Sequence, residues 1–167
     1  MNKVFLLLGA NLGHPEAQLA RALQEIESLI GKVENSSSLY ESEAWGVTDQ
    51  PKFLNQVVLI HTSFSAMEVL DRTQDIENRL GRVRLSKWGA RVIDIDLLYF
   101  NMEYIQNERL SIPHPYLPDR RFALLPLHEI APDFVHPTLG LDTASLLKQC
   151  ADNLRVYPYH PNNDHAL

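Results

Sequence analysis

One cysteine is all the chain has. Cys150 alone in 167 residues excludes a disulfide within the chain and fits a reducing compartment, and its place near the end of a predicted helix suits a small apolar filler better than a nucleophile. Long apolar runs are missing too. None approaches the ~20 residues that a membrane span needs. The run at 4–8 behind Lys3 is too short for the apolar core of a secretory signal and runs straight into Asn11, Gly13 and His14. Positive charge is in deficit: 15 Lys and Arg against 21 Asp and Glu leave a net charge of −6 and a pI near 5.6, which argues against a general binder of nucleic acid or of an anionic membrane. Glycine is scarce, with seven in the chain and none spaced as Gly-x-x-x-x-Gly-Lys-Ser/Thr, so an ordinary γ-phosphate kinase built on that loop is disfavoured. No repeat, low-complexity tract or linker divides the sequence. These absences leave one soluble, cytoplasmic domain over 1–160 with a flexible tail over 161–167.

What is present reads as alternating strand and helix. The apolar run at 4–8, ended by Gly9-Ala10-Asn11-Leu12-Gly13, predicts a buried strand and its turn. Pro15 and Glu16 suit a first helical turn, and Leu19, Ala22, Leu23, Ile26, Leu29 and Ile30 follow at helical spacing up to Gly31. Residues 32–43 read as a mostly polar strand, 44–52 as a loop, and 53–62 as a central strand around Val57-Val58-Leu59-Ile60. Ser65 with Glu68 three residues on predicts a capping box for a helix that ends at Gly81. A basic loop then spans 81–91, a strand 92–100 and a turn 101–103. Residues 104–112 pair back or lie along an edge until Pro113-His114-Pro115 stops them. Two further helices are predicted over 121–130 and 143–150, and the polar residues 151–167 fray. The order βαββαβ followed by helices predicts an α+β, ferredoxin-like fold, a mostly antiparallel sheet with helices packed on it in α/β/α layers.

The strand over 92–100 carries the densest chemistry. Side chains alternate along a strand, so Asp94 and Asp96 share one face while Ile93, Ile95 and Leu97 take the other. Two carboxylates roughly 7 Å apart on one face repel unless a cation lies between them. Hard cations such as Mg²⁺ answer that need and usually share carboxylate oxygens with substrate phosphates. Taken alone, Asp-x-Asp is more often the wet face of a half-buried sheet. Here the strand runs on into Leu97-Leu98-Tyr99-Phe100, and 79–91 holds five of the fifteen Lys and Arg (Arg79, Arg82, Arg84, Lys87, Arg91). A carboxylate pair beside such a cluster suits a nucleoside triphosphate and its metal. A ferredoxin-like module that binds a nucleotide or RNA without catalysis is the competing reading, motivated by Trp88 among the arginines. The acidic net charge and the aspartate pair weigh against it.

Lys87-x-Gly89-Ala90-Arg91-x-x-Asp94-Ile95-Asp96-Leu97-Leu98 resembles the hallmark of the 6-hydroxymethyl-7,8-dihydropterin pyrophosphokinase family of folate biosynthesis. Gly9-Ala10-Asn11-Leu12-Gly13, Asp49-Gln50-Pro51-x-Phe53-Leu54-Asn55, Gln74-x-Ile76-Glu77 with Gly81-Arg82-Val83-Arg84, Glu108-Arg109-Leu110, Pro113-His114-Pro115 and Pro126-Leu127-x-Glu129-Ile130-Ala131-Pro132 agree with it in order. The resemblance implies transfer of pyrophosphate from ATP to the pterin hydroxymethyl group, with release of AMP, by a monomer that needs neither nucleic acid nor membrane. It implies two Mg²⁺ ions on Asp94 and Asp96, with Arg82 and Arg91 also catalytic. It places Gln74, Glu77, Arg84, Lys87, Trp88, Arg91, Leu97, Arg109, Ser111, His114 and Arg120 with ATP. It places Ser42, Glu43, Trp45, Phe53, Asn55, Trp88, Asp94 and Phe122 with the pterin, and it implies that Arg82, Arg84 and Trp88 close over bound substrates. The chain departs from the family's frequent pattern at Ser42, Ala44 and Trp45, and at Tyr116 and Pro118. The missing proline at 44 leaves that loop less restrained.

Overall fold

Strand β1 (Asn2–Ala10) is apolar on both sides because it is covered on both sides. Val4, Leu6, Leu8 and Ala10 enter one hydrophobic cluster, and Phe5 and Leu7 enter a second on the opposite face. β1 pairs antiparallel with β4 (Phe53–Thr62) along its whole length, from Asn2↔Thr62 to Ala10↔Leu54, and on its other edge with β5 (Asp94–Phe100). It is longer at both ends than its apolar run, because pairing on two sides recruits the flanking residues. The computed structural model describes residues 1–43, 51–81 and 92–161. Residues 44–50 of the expected loop at 44–52, most of the basic loop and the last residues of the tail lie outside them.

The main sheet runs β5, β1, β4, β3 (Tyr40–Ser42) and β8 (Val156–Pro158), and β2 (Lys32–Ser36) also pairs with β4, every pairing being antiparallel. With β2 and β3 taken as halves of one interrupted strand, the order is fourth, first, third, second, which is the ferredoxin-like arrangement that the element order predicts. Helices α1 (Pro15–Leu29) and α2 (Ala66–Gly81) pack on the Val4–Leu6–Leu8 face. Helices α3 (Arg121–Ile130) and α4 (Thr143–Gln149) cover the other. The capping box of α2 is formed in both directions: Ser65 N–H donates to Glu68 Oε1 at 3.0 Å and Glu68 N–H to Ser65 Oγ at 3.2 Å. Residue 31, just past the end of α1, is glycine because a Cβ there would collide with the backbone carbonyl of His61.

Four expectations change. The predicted strand 32–43 is broken at Ser37, whose hydroxyl instead of its backbone carbonyl accepts the Val57 N–H at 3.0 Å. That carbonyl takes the Gln56 side chain at 2.9 Å. Glu129 of α3 then anchors the break by accepting from Ser38 N–H at 2.9 Å and from the Tyr40 hydroxyl at 2.7 Å. Burial, with Glu129 beside it, pushes the Tyr40 hydroxyl up to about 12. Strand β5 starts at Asp94 and not at 92, and its register with β1 skips Leu98 between Phe5↔Tyr99 and Leu6↔Leu97. This bulge turns Leu98 and Tyr99 into the same cluster. The segment 104–112 pairs with itself, as a hairpin of β6 (Ile105–Gln106) and β7 (Ser111–Ile112). Its turn is set by Asn107 Oδ1, which accepts the N–H groups of Arg109 and Leu110 at 2.9 Å each, and a cis Ile112–Pro113 bond follows it. The polar tail does not simply fray, since Val156–Pro158 forms β8 on the edge of β3.

Beneath α3 and α4, Tyr99 packs against Phe5, Phe134 and His136, the last edge-on at 5.7 Å between ring centroids. The His136 imidazole is buried, and its Nδ1 accepts from Thr138 and Leu139 N–H at 3.2 and 3.1 Å. Burial lowers its pKa from the ordinary 6.5. The folded chain therefore binds that proton less readily than the unfolded chain, so stability is full above pH 6.5 and declines as pH falls through the lowered folded value. Urea titrations between pH 7 and pH 5 are expected to show this decline in the wild type and a flatter one in His136→Asn, whose baseline is lower throughout.

Candidate functional site

Residues Asp94, Gly9 and Asn55 form one row across three strands, because Gly9 pairs with Asp94 on one side and with Asn55 on the other. Only the middle position lacks a side chain. A Cβ on Gly9 would stand 3.3 Å from Asn55 Oδ1 and 3.9 Å from the Phe53 ring, so glycine there opens the floor of a cleft. That cleft has a volume of about 190 Å³ and is lined by Leu7, Gly9, Ser42, Glu43, Phe53, Asn55, Asp94, Asp96, Arg120 and Phe122. Asn55 is buried and donates from Nδ2 to Ser42 Oγ at 2.8 Å. This fixes its amide with the oxygen toward Gly9. The opposite wall comes from the start of α3, where the Arg120 guanidinium lies 5.1 Å from the Tyr116 ring centroid and 5.6 Å from that of Phe122. The walls thus offer an amide, a hydroxyl and aromatic faces, a combination suited to a flat heterocycle with a polar edge.

A second cleft, of about 310 Å³, opens along the outer edge of β5. Leu70, Gln74 and Glu77 line it from α2, spaced four and three residues apart and so on one helical face, and Arg109, Leu110, Ser111, His114 and Pro115 line it from the other side. Arg109 is held in place by Asp71 Oδ1 at 2.6 Å and Gln74 Oε1 at 3.0 Å. His114 donates its backbone N–H to Leu98 O at 3.0 Å, and its Nδ1 accepts from Tyr116 N–H at 3.2 Å. Burial lowers its imidazole pKa against the opposing pull of Asp96, and Arg120 lowers it further. In its neutral form the ring presents Nε2–H as a donor.

Asp96 lines both clefts. Between the two aspartates the backbone is clamped, because Ile95 N–H donates to Glu77 Oε2 at 2.8 Å. Among the described residues no group of three or more His, Cys, Asp and Glu is gathered to hold a metal. A hard divalent cation is compatible with this pair all the same, since Mg²⁺ commonly takes one or two carboxylates and completes its shell with phosphate oxygens and water.

The residues expected with a pterin gather in the first cleft: Ser42, Glu43, Phe53, Asn55, Asp94 and Phe122. Of those expected with ATP, Gln74, Glu77, Leu97, Arg109, Ser111 and His114 gather in the second. Arg120, expected with ATP, lines the first cleft. Trp45, Arg82, Arg84, Lys87, Trp88 and Arg91 lie outside the described residues. Sequence reasoning missed Leu7 and Gly9 as cleft floor, Asp71 as the holder of Arg109, and Asn107 as the turn that aims it. Gly9 was detectable as a glycine interrupting a strand. The Asp71–Arg109 pair is set by tertiary packing and leaves no local signal.

Two clefts that share Asp96 fit one class, a transferase that brings two substrates together. A sequence model of the 7,8-dihydro-6-hydroxymethylpterin-pyrophosphokinase (HPPK) family matches residues 5–132. The 2-amino-4-hydroxy-6-hydroxymethyldihydropteridine pyrophosphokinase of Haemophilus influenzae is 44% identical over 157 residues, covering 93% of this chain and 98% of that protein. Its counterpart in Bacillus subtilis is 44% identical over 133 residues, 77% of this chain and 78% of that one. Among solved structures, an HPPK-DHPS in complex with substrates superposes with a TM-score of 0.73 at 18% identity, over 88% of this chain and 43% of that one. At such identity the likeness shows the fold alone, and the chain spans less than half of that solved protein. The chain belongs to the HPPK family and is a pyrophosphokinase.

Removing the Glu77 clamp leaves the buried Ile95 N–H without its acceptor, which costs about 1–3 kcal/mol. Glu77→Ala is accordingly expected to lower the urea midpoint and to speed amide exchange at 94–96. Wild-type exchange there would show that the clamp is dispensable.

Proposed function

We infer that this chain transfers pyrophosphate from ATP to the hydroxyl of 6-hydroxymethyl-7,8-dihydropterin, giving the pterin diphosphate, AMP and a proton, in one catalytic unit over 1–160 that acts as a monomer in the cytoplasm. The observation that carries this reading is Asp96, shared by the two clefts. A pterin in the first and ATP in the second would meet at the aspartate pair. In the first cleft the heterocycle would stack on Phe53 and Phe122, with its polar edge against Asn55 and Ser42. In the second, Arg109, His114 and Ser111 would take the nucleotide, with Leu97, Gln74 and Glu77 beside it. The transfer forms a bond from the hydroxymethyl oxygen to the β-phosphorus and breaks that phosphorus away from the AMP oxygen. Chemistry of this kind depends on positioning and on neutralising charge more than on covalent catalysis by the protein.

Asp94 and Asp96 would hold Mg²⁺, as two ions in this reading. When bound, the metal neutralises the phosphates and orients them for in-line displacement. Arg120, between Tyr116 and Phe122, is placed to offset charge on the transferred group. Lys87 and Arg91 would meet the phosphates, and Arg82, Arg84 and Trp88 would close over the substrates and exclude water.

Incubation with ATP, Mg²⁺ and the pterin, followed by separation of nucleotides, tests the reaction. Pterin-dependent AMP is expected, and ADP would mean that a different phosphorus is attacked. Asp94→Asn is expected to cut kcat about a hundredfold or more while pterin affinity changes far less. Near-normal turnover in that variant would remove Asp94 from the role given it. Gly9→Val, which overfills the cleft floor, is expected to weaken pterin binding about tenfold, with ATP-analogue binding retained in the same calorimetric titrations.

A further inference from the structure

We propose that residues 151–159 form a strap that positions the walls of the pterin cleft, with Asp152 and Tyr157 as its two positioning residues. The proposal rests on reading the first cleft as the pterin site. The strap lies beyond the residues 5–132 that match the family model, and it reaches in turn α3, β3 and the residue before β4.

It first meets α3. Helix α3 opens at Arg121, and Arg120 at its N-cap makes no side-chain cap. Asp152 supplies one from 31 residues away: its Oδ2 accepts the Arg121 N–H at 3.0 Å, while its Oδ1 accepts Leu154 N–H at 3.0 Å. A carboxylate at a helix N-terminus satisfies an otherwise unpaired donor and opposes the helix dipole favourably. The residues fixed by this cap are Arg120 and Phe122, both in the cleft wall. The strap next meets β3, since Val156 pairs with Ser42 and Tyr157 with Glu41. Because side chains alternate, Ser42 faces the cleft, and Glu41 and Tyr157 meet on the opposite face.

There the strap reaches the start of β4. The Tyr157 hydroxyl accepts from Lys52 Nζ at 2.8 Å and donates to Glu41 Oε1 at 3.4 Å, and the Lys52 ammonium lies 5.5 Å from the Tyr157 ring centroid. Lys52 immediately precedes Phe53. The strap closes with Tyr159 N–H donating to Leu39 O at 2.9 Å. Neither Asp152 nor Tyr157 lines the cleft, so both act through Arg121, Ser42 and Lys52. An edge strand alone would not need the Tyr157 hydroxyl. Its bonds reinforce the link between two ends of the cleft wall, Glu41 next to Ser42 and Lys52 next to Phe53, which a Lys52–Glu41 ion pair at 3.6 Å and the short β3–β4 ladder also join.

The test compares full-length wild type, Asp152→Ala, Asp152→Asn and Tyr157→Phe by calorimetry with the pterin and with a non-hydrolysable ATP analogue, and by amide exchange. Tyr157→Phe is expected to weaken pterin binding about fivefold without changing ATP-analogue affinity, and Asp152→Ala, which also loosens Arg120, to weaken pterin binding about fivefold and ATP-analogue binding by less. Asp152→Asn keeps a cap acceptor and should restore most of the loss. Unchanged pterin affinity in both variants, or equal losses for pterin and nucleotide, would overturn the proposal. Should the wild type itself bind no pterin, the ligand assigned to the cleft is wrong. Exchange over 41–43 and 120–123 then decides the strap by itself: faster in both variants supports it, and unchanged rates refute it.

Discussion

Two carboxylates on one face of one strand are the constraint around which the rest of this molecule is arranged. At roughly 7 Å and an effective dielectric near 20, Asp94 and Asp96 repel by about 2 kcal/mol. That energy is available for relaxation unless the strand is prevented from moving. β5 is an edge strand of the main sheet, the position where a strand twists most easily. Its inner edge is fixed by β1. Its outer edge is fixed at two points, by Glu77 on the Ile95 N–H and by the His114 N–H on the Leu98 carbonyl. The two carboxylates are thereby held on one backbone geometry.

The same strand borders both clefts. Its face, continued across Gly9 to Asn55, floors one cleft, and its outer edge floors the other. A doubly covered β1 makes this floor stiff, because Val4, Leu6 and Leu8 are locked against α1 and α2 while Phe5 and Leu7 are locked against α3 and α4. Interiors packed to this density transmit little relaxation. Groups on neighbouring strands therefore hold their separation, which transfer between two bound molecules demands.

Much of this was legible in the residues. Continuous apolar runs marked strands buried on both faces, Ser65 and Glu68 marked the start of α2, and the helix over 121–130 begins and ends where its pattern does. The ordered motifs led to the family and thus to two sets of residues, whose described members line two clefts, with Arg120 of the ATP set in the first rather than the second. What escaped was set by distant partners. The break at Ser37 depends on Val57 and on Glu129, more than ninety residues downstream of the serine in the latter case. The strap looked like a fraying tail because its residues are polar, and its order comes from Asp152 on α3 and from β3 pairing. Asp71 sits on the exposed side of a helix, and nothing near it in the chain announces Arg109. Local pattern reports which face is buried; it does not report which polar group will find which.

Counting bound Mn²⁺ by electron paramagnetic resonance, with a non-hydrolysable ATP analogue and the pterin present, tests the central claim most directly. Wild type is expected to sequester Mn²⁺ in the ternary mixture, and Asp94→Asn and Asp96→Asn are each expected to release it while still binding pterin in the calorimeter. Retention of the full complement of Mn²⁺ by both variants would contradict the account, because the aspartate pair would then not be the place where metal, nucleotide and acceptor meet.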